Sequence, residues 1–222
     1  MFRMTRIAGI VFMLCCLTQA FAQVEIWGPQ GQSIISNSGD QTGIVAVPTS
    51  TNMIFTAWGD TRGTHPNVYW SLLDSNGVST LQTPTGDPAQ ILATSTQLNP
   101  SIMWDTSSLN PNGPGGVIVW QDNGSGNYDI YAQRVKISRT YEWFNDHTPD
   151  TVCVFSGNQT MPKVIAGPAG GYYVVWQDSA RLLGSGLDIY AQRLDAFGRR
   201  MWGDGGRPVI DLRGDQANFS TF

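Results

Sequence analysis

The sequence predicts an all-β protein assembled from repeated four-stranded antiparallel units. Three observations support this: a long internal repeat, strand-length apolar pieces, and frequent turn residues, with 25 Gly and 12 Pro among 222 residues. No stretch shows the apolar spacing of an amphipathic helix. Eight Trp, seven Tyr and nine Phe supply a core that a disordered chain lacks. The net charge of −4, without a Lys/Arg cluster, argues against a nucleic-acid partner.

Residues 1–22 predict a signal peptide that precedes the domain. Arg3 and Arg6 form a basic segment, an apolar run follows, and Ala20 and Ala22 offer the small residues of a cleavage site. The apolar run is too short for a permanent anchor, so no membrane span is expected. The remaining residues, 23–222, are predicted to be secreted or to lie at the cell surface. Cys153 is the one cysteine beyond the leader, which excludes an intramolecular disulfide framework.

An internal repeat determines the predicted architecture. The string GVIVWQDNGSGNYDIYAQRV at 116–135 recurs as GYYVVWQDSARLLGSGLDIYAQRL at 171–194, with a weaker copy at 52–73. Four glutamines recur with the same period as these strings, and two of them are followed by a proline three residues later. The repeat predicts units at about 41–96, 97–158 and 159–215 and a partial unit at 216–222; the glutamines are Gln41, Gln97, Gln159 and Gln216.

Each unit holds about four strand-length pieces, which is the content of one propeller blade. The usual blade repeat is roughly 40 to 50 residues, and the unit here is slightly longer. The runs GVIVW and YYVVW do not alternate apolar with polar residues, so both faces of their sheets are expected to be covered. The prediction is a β-propeller-like array of stacked blades. A β-sandwich is the alternative, although sandwiches do not normally repeat at such a long period.

The predicted array is incomplete, with about three and a half blades. Because propellers typically close with four to eight blades, we expect either a truncated copy of a longer protein or a ring completed by several chains. Truncation is the favoured interpretation. An open stack exposes strand edges, so self-association through these edges is also expected.

The repeat resembles those of large secreted bacterial proteins of β-propeller type. The resemblance rests on W-x-D, a loop, D-I-Y-A-Q-R, and then Asp195, Gly198, Trp202 and Gly203, and it covers essentially 23–222. Many such proteins carry a sorting domain for type IX secretion, which this chain lacks. The resemblance implies an exported, non-catalytic module for extracellular binding or surface display, with an unknown ligand such as a glycan or a protein.

The alternative function is a fragment of a sialidase-like or other glycan-processing propeller enzyme. The turn Leu194–Gly198 partly resembles the Asp-containing turns of sialidases. The two histidines, His65 and His147, lie far apart in the repeat, which argues against a histidine-based site. No catalytic residue is assigned, and the sequence favours a protein that is not an enzyme.

The most suggestive polar feature is the loop between the second and third strands. Asp122 and Asp129 are predicted to face each other across a hairpin, with Asn127 between them. Such an oxygen-rich loop suits Ca²⁺, and these three residues are the predicted metal ligands; no other cofactor is expected. The alternative is that the aspartates cap the turn by accepting backbone hydrogen bonds. In the first and third units, Arg62 and Arg181 could supply the neutralising charge instead.

The aromatic residues predict the strand register. Pairing Asp122 with Asp129 places Trp120 opposite Tyr131, and the equivalent pairings place Trp58 opposite Tyr69 and Trp176 opposite Tyr190. These three tryptophans lie in apolar runs and are expected to pack between blades. Three others lie beside turn residues and are expected to be partly exposed: Trp27, Trp143 and Trp202.

Overall fold

The computed structural model describes residues 35, 38–80, 87–88, 94–111, 113–138, 140–143, 150–179, 186–210, 214–217 and 219–220. The predicted signal peptide, Trp27, His147 and Arg181 lie outside these residues. No helix of the described ranges is long and apolar enough to cross a membrane.

Three four-stranded antiparallel sheets make up the fold, and in each the strands follow one another in chain order. The all-β prediction and the four-stranded unit are therefore confirmed. The first sheet, blade 1, holds β1 (Gln41–Pro48), β2 (Ile54–Asp60), β3 (Asn67–Leu73) and β4 (Asp87–Pro88). Blade 2 holds β5 (Gln97–Asp105), β6 (Gly115–Asp122), β7 (Asp129–Val135) and β8 (Asp150–Cys153). Blade 3 holds β9 (Gln159–Ala166), β10 (Tyr172–Asp178), β11 (Asp188–Leu194) and β12 (Arg207–Ile210), with a 3₁₀ turn at Pro168–Gly170.

The first strands of the blades lie together on one side of the stack. Strand β5 contacts both β1 and β9, so these three strands are the inner strands and β4, β8 and β12 are the outer ones. Each inner strand begins at a glutamine of the repeat. The arrangement is that of a propeller, in which blades are placed side by side around an axis.

Two hydrophobic clusters hold the blades together. Between blades 1 and 2, Phe55 and Trp70 pack against Ile118 and Trp120. Between blades 2 and 3, a second cluster joins one face of each sheet, including Val119, Trp143 and Trp176. Because the large side chains of both clusters are almost completely buried, apolar burial is the main contribution to blade stacking.

The strand register agrees with the prediction in all three blades. Asp122 pairs with Asp129, Asp178 with Asp188 and Asp60 with Asn67. The three tryptophans are completely buried, and each stacks on its cross-strand tyrosine with ring centroids 6.3 or 6.4 Å apart. The register predictions are therefore confirmed; the pairs are Trp58–Tyr69, Trp120–Tyr131 and Trp176–Tyr190.

Two predictions about burial are wrong. Trp143 is only 1% exposed, because it packs between blades 2 and 3, meets the Tyr172 ring edge-on at 5.3 Å and donates from its indole nitrogen to the Ala196 carbonyl oxygen. Strand β10 was expected to be covered on both faces, yet its residues alternate between buried and half-buried. By contrast, Trp202 is half-buried as predicted and lies against Tyr173.

A buried ionic network joins blades 2 and 3 at the end of the strands opposite the repeated glutamines. Arg134 is fully buried, pairs with Glu142 and donates from Nε to the Tyr172 hydroxyl at 3.1 Å. The Tyr172 hydroxyl in turn donates to Asp105 at 2.6 Å. Burial raises the pKa of Tyr172 well above its usual range, and the hydrogen bond to Asp105 raises it further. Because removal of one partner would leave a buried charge unpaired, this network fixes the relative position of the two blades.

Candidate functional site

The predicted metal ligands Asp122 and Asp129 lie opposite each other at the neck of the β6–β7 hairpin. Asp122 is 5% exposed, and its carboxylate accepts hydrogen bonds from Gln97 Nε2 at 3.0 Å and from the Gly124 amide at 2.8 Å. Asp129 is completely buried and accepts from the Ser125 hydroxyl and from the Phe155 amide at 3.2 Å. Both carboxylates thus stabilise loop backbone and loop side chains.

Asn127, the third predicted ligand, lies beside Asp129. Its amide nitrogen donates to Asp129 Oδ1 at 3.2 Å and to the carbonyl oxygen of Phe155 at 3.0 Å. The structure therefore brings the three predicted residues together in a hydrogen-bonded loop. Within the described part of the chain, no group of three or more His, Cys, Asp or Glu has an arrangement suited to a metal ion. The calcium site stays a prediction.

In blade 1 an arginine neutralises the equivalent aspartate, as the sequence suggested. Arg62 pairs with Asp60, and Trp58 Nε1 donates to the same carboxylate at 3.1 Å. Burial acts to raise the pKa of Asp60, but the hydrogen bonds from Arg62 and Trp58 outweigh it and hold the pKa below its usual value. In blade 3, Trp176 Nε1 donates to Asp178 at 3.2 Å. In blades 1 and 3 the tryptophan of the W-x-D string therefore holds its aspartate in place, which is a structural role.

The inner strands share an irregularity at one position near the glutamine end. The third residue of each has a left-handed backbone conformation, with φ of 61° at Gly43, 53° at Asn99 and 55° at Met161. The pairing with the second strand shifts register at this point in every blade, which identifies three equivalent β-bulges. A positive φ is common for glycine but costly for methionine, so blade 3 holds a strained residue at this position.

Gln121 connects two of these bulges. Its side-chain oxygen accepts from Asn99 Nδ2 at 2.8 Å and from the Met161 amide at 3.0 Å, and the side chain is 4% exposed. One buried amide thus supports the bulges of blades 2 and 3 together. Met161 itself remains 46% exposed on the inner side of the stack.

Beside the bulges, the inner strands line a cavity of about 350 Å³, here called the axial cavity. Val45 and Val47 of β1, Ser101 of β5 and Lys163 of β9 belong to its wall. Ser101 Oγ accepts a hydrogen bond from the Val164 amide at 3.2 Å, which joins the walls of blades 2 and 3. The wall is of mixed polarity, with apolar side chains beside two hydroxyls and one ammonium group, and the described lining residues include no carboxyl group.

Comparison with solved structures identifies similar folds. An endo-arabinase from Bacteroides thetaiotaomicron is similar with a TM-score of 0.52 and 15% identity, over 82% of this chain and 68% of that chain. A thermostable family-43 glycoside hydrolase gives a TM-score of 0.46 and 14% identity, over 78% of this chain and 56% of that one. A glycosyl hydrolase from Bacteroides ovatus gives 0.44 and 11%, over 87% and 54%. No family model and no curated protein matches the sequence.

These similarities correct the functional prediction. The chain was expected to be a non-catalytic module for binding or display, but the endo-arabinase, whose fold it shares with a TM-score of 0.52, is an enzyme. This finding overturns the main prediction and favours its alternative, a glycan-processing propeller enzyme. At 15% identity the likeness to the endo-arabinase establishes the propeller fold itself, which is compatible with an enzyme.

The bulges and the axial cavity were missed by sequence reasoning, although a signal was present. Pro100 and Pro162 each directly follow a bulge residue, three positions after a repeated glutamine. A proline within a sheet is confined largely to edge strands, first positions and bulges. The repeated Gln-x-x-Pro spacing therefore contained the information that these inner strands are interrupted near the axis.

Proposed function

We propose that this chain belongs to a glycan-processing β-propeller enzyme and that its axial cavity forms part of the substrate site. The observation that supports the proposal is the set of three equivalent bulges, which exposes Asn99 and Met161 beside one concave site on the axis. Ligand sites are typically concave, mostly apolar and supplied with a few polar groups. The axial cavity combines apolar side chains with two hydroxyls and one ammonium group, which can hydrogen-bond to the hydroxyls of a sugar chain. The fold likeness to an endo-arabinase makes a polysaccharide the substrate class to test first.

The chemistry of glycoside hydrolysis distinguishes residues that bind the sugar chain from residues that catalyse its cleavage. Hydrolysis generally requires two carboxyl groups on either side of the scissile bond, and the described wall of the cavity contains none. We propose that the described inner strands hold the sugar chain and that other parts of the enzyme supply the carboxyl pair.

Export from the cell fits this function, because polysaccharides are too large to reach an enzyme in the cytoplasm. The predicted signal peptide at 1–22 and the resemblance to secreted bacterial propeller repeats support the same proposal. We propose that the protein acts outside the cell that makes it.

We also propose that a fourth blade covers the half-buried face of blade 3. The backbone amide of Gln216 donates to the Leu187 carbonyl oxygen at 2.6 Å. The backbone amide of Gln159, at the start of β9, donates to the Tyr128 carbonyl oxygen at 2.7 Å in the same way. The Leu187 amide donates to Asp215 at 2.9 Å, as the Tyr128 amide does to Asn158 at 3.0 Å. Asp215 and Gln216 thus repeat the contacts that begin an inner strand in blade 3.

The hydrolytic function is tested by incubating the purified protein with linear arabinan and, separately, with xylan. We expect release of reducing ends from one of these substrates, with the product profile measured by anion-exchange chromatography. Lys163→Ala should raise KM by roughly three- to tenfold while kcat changes little, because it removes a contact to the bound chain. Arg207→Ala is the control, since Arg207 is an exposed cation on the outer strand β12. An absence of product from every polysaccharide would contradict the proposal.

A further inference from the structure

A second cavity, of about 290 Å³, lies between blades 2 and 3 away from the axis. Its wall joins the start of β8, at Asp150 and Thr151, to the β11–β12 hairpin, at Arg199, Arg200 and Asp204. It shares no lining residue with the axial cavity. We call it the junction cavity.

Asp150 is the unusual member of this wall. It is 6% exposed, and its Oδ2 is buried without a hydrogen-bond partner. The two arginines of the wall are already paired, Arg199 with Asp195 at 2.7 Å and Arg200 with Asp204 at 3.0 Å. Because this oxygen is closed off from solvent and has no donor, a negative charge on the carboxyl group is costly and the protonated form is favoured.

The hairpin of blade 3 holds the Asp150 carboxyl in place. Gly198 has φ of 83°, and a Cβ at this position would overlap Asp150 Oδ2 and the Trp143 ring. Glycine is thus required both by the backbone conformation and by the close approach of the carboxyl. Trp143 is anchored to the same hairpin through Ala196. The position of the carboxyl is therefore fixed before any ligand arrives, which lowers the cost of binding.

The charges around the junction cavity favour a neutral ligand rich in hydroxyl groups. An anion would meet Asp150 and the exposed carboxylate of Asp204, whereas a cation would meet Arg199 and Arg200. Burial raises the pKa of Asp150 to about 7; Arg200 lowers it and Asp195 raises it further. Near neutral pH the carboxyl group can therefore either accept a hydrogen bond or donate one, as a hydroxyl partner requires.

An apolar surface lies next to the cavity. Phe197 adjoins the lining residue Gly198, is 49% exposed, and has the Arg199 guanidinium 5.2 Å from its ring centroid. An exposed aromatic ring gives the apolar face of a sugar a flat surface to pack on. The hairpin that carries Arg199 and Arg200 thus also presents an exposed aromatic ring.

We propose that the junction cavity is a second glycan-binding site, which takes one sugar residue through hydrogen bonds from its hydroxyls to Asp150 and Arg200. The sugar class rests on the proposed function, whereas the existence of a polar, preorganised site does not. Such a site would hold a polysaccharide on the outside of the propeller while another part of it occupies the axial cavity.

Affinity electrophoresis in gels that contain linear arabinan or xylan tests this inference. The wild-type protein should be retarded by one polysaccharide, and Asp150→Asn and Arg200→Gln should each weaken the retardation constant by about tenfold, the usual result of losing a hydrogen bond to a charged group. Asp40→Asn, an exposed aspartate at the start of blade 1, is the control and should migrate as the wild type does. Melting temperatures of all variants show whether they fold.

The outcomes distinguish this inference from the proposed function. Retardation that depends on Asp150 and Arg200, in a protein that releases no sugar from any polysaccharide, supports the junction site and contradicts the hydrolytic function. Folded Asp150→Asn and Arg200→Gln variants that migrate as the wild type does would overturn the inference. A wild-type protein that neither polysaccharide retards would overturn it as well.

Discussion

Strands β6 and β10 have similar sequences and equivalent positions in neighbouring blades, yet they are buried differently. Every residue of β6 is buried, whereas β10 alternates between buried and half-buried residues. In β10 the half-buried side chains are those of Tyr173, Val175 and Gln177, which share one face of the sheet. The other face, with Val174 and Trp176, packs against blade 2.

The apolar pattern of a strand indicates the environment to which the strand is suited. Its burial depends on whether another sheet packs against it. In blade 2, Val119 contacts the cluster shared with blade 3 and is 0% exposed. Val175 holds the equivalent place in blade 3, but within the described ranges no sheet packs on its side. The sequence of β10 therefore points to a covering blade, as proposed above.

The largest difference in stability between variants of β6 and β10 should come from a buried charge. Val119→Asp places a carboxylate between blades 2 and 3 without a partner, so we expect a loss of at least about 4 kcal/mol or failure to fold. Where the proposed fourth blade is absent, Val175→Asp should cost less than about 1 kcal/mol, because the half-buried side chain then reaches water. Urea unfolding followed by tryptophan fluorescence measures both. Equal costs at the two positions would mean that another blade or a second copy already covers the Val175 face.

The next largest effect on stability concerns Asp150, which lies between blades 2 and 3. Its pKa in the folded protein, about 7, exceeds the unfolded value of 3.8, so the folded state holds its proton across this window. Stability should therefore fall as the pH rises from about 4 to about 7 and stay reduced above that, by up to about 4 kcal/mol.

Asp150→Asn should remove this pH dependence, because the amide has no proton to lose. Between pH 5 and pH 8 the melting temperature of the wild type should fall by about 5 °C more than that of the variant, as calorimetry can measure. Asp204→Asn, at an 88% exposed side chain, is the control and should behave as the wild type does. Parallel pH profiles of Asp150→Asn and the wild type would show that Asp150 is already ionised in the folded protein.

A smaller effect should distinguish the two equivalent glutamines. Gln121 supports the bulges of two blades, so Gln121→Ala leaves the Met161 amide without its acceptor and should cost about 1 to 2 kcal/mol. Gln177 is half-buried on the open face, and its alanine variant should change stability by less than about 0.5 kcal/mol. Chemical denaturation midpoints give the comparison. A large loss in Gln177→Ala would indicate that a further bulge already uses this amide.

Features set by local sequence were predictable from the sequence alone. The strand content, the four-stranded unit and the cross-strand pairs follow from turn residues and alternation within one hairpin, so the Trp120–Tyr131 pair was correct even though the loop lengths of the units differ. The aspartates at the hairpin neck were found for the same reason, since Asp122 and Asp129 are neighbours within one hairpin.

Features set by contacts between blades were not predictable. Trp143 lies in a turn-like stretch of sequence, and only its packing on blade 3 buries it. The axial cavity and the isolated carboxyl of Asp150 depend on side chains brought together from different repeat units. A repeat sequence shows what each unit has in common, whereas these sites arise where units differ or meet.

The smallest expected effect tests the calcium prediction in the hairpin of blade 2 against its counterpart in blade 3. The carboxylates of Asp122 and Asp129 already accept hydrogen bonds from the loop, so a bound ion has to replace some of these donors and should bind weakly. With a Kd near 1 mM, addition of 1 mM Ca²⁺ to chelator-treated protein stabilises the folded state by about 0.4 kcal/mol, or about 1 °C in melting temperature.

Asp129→Asn should abolish this shift, and Asp188→Asn, at the equivalent position of blade 3, should leave it intact. Mg²⁺ at the same concentration controls for ionic strength. A shift that survives Asp129→Asn would place the ion elsewhere, and no shift at all would leave these aspartates as turn caps.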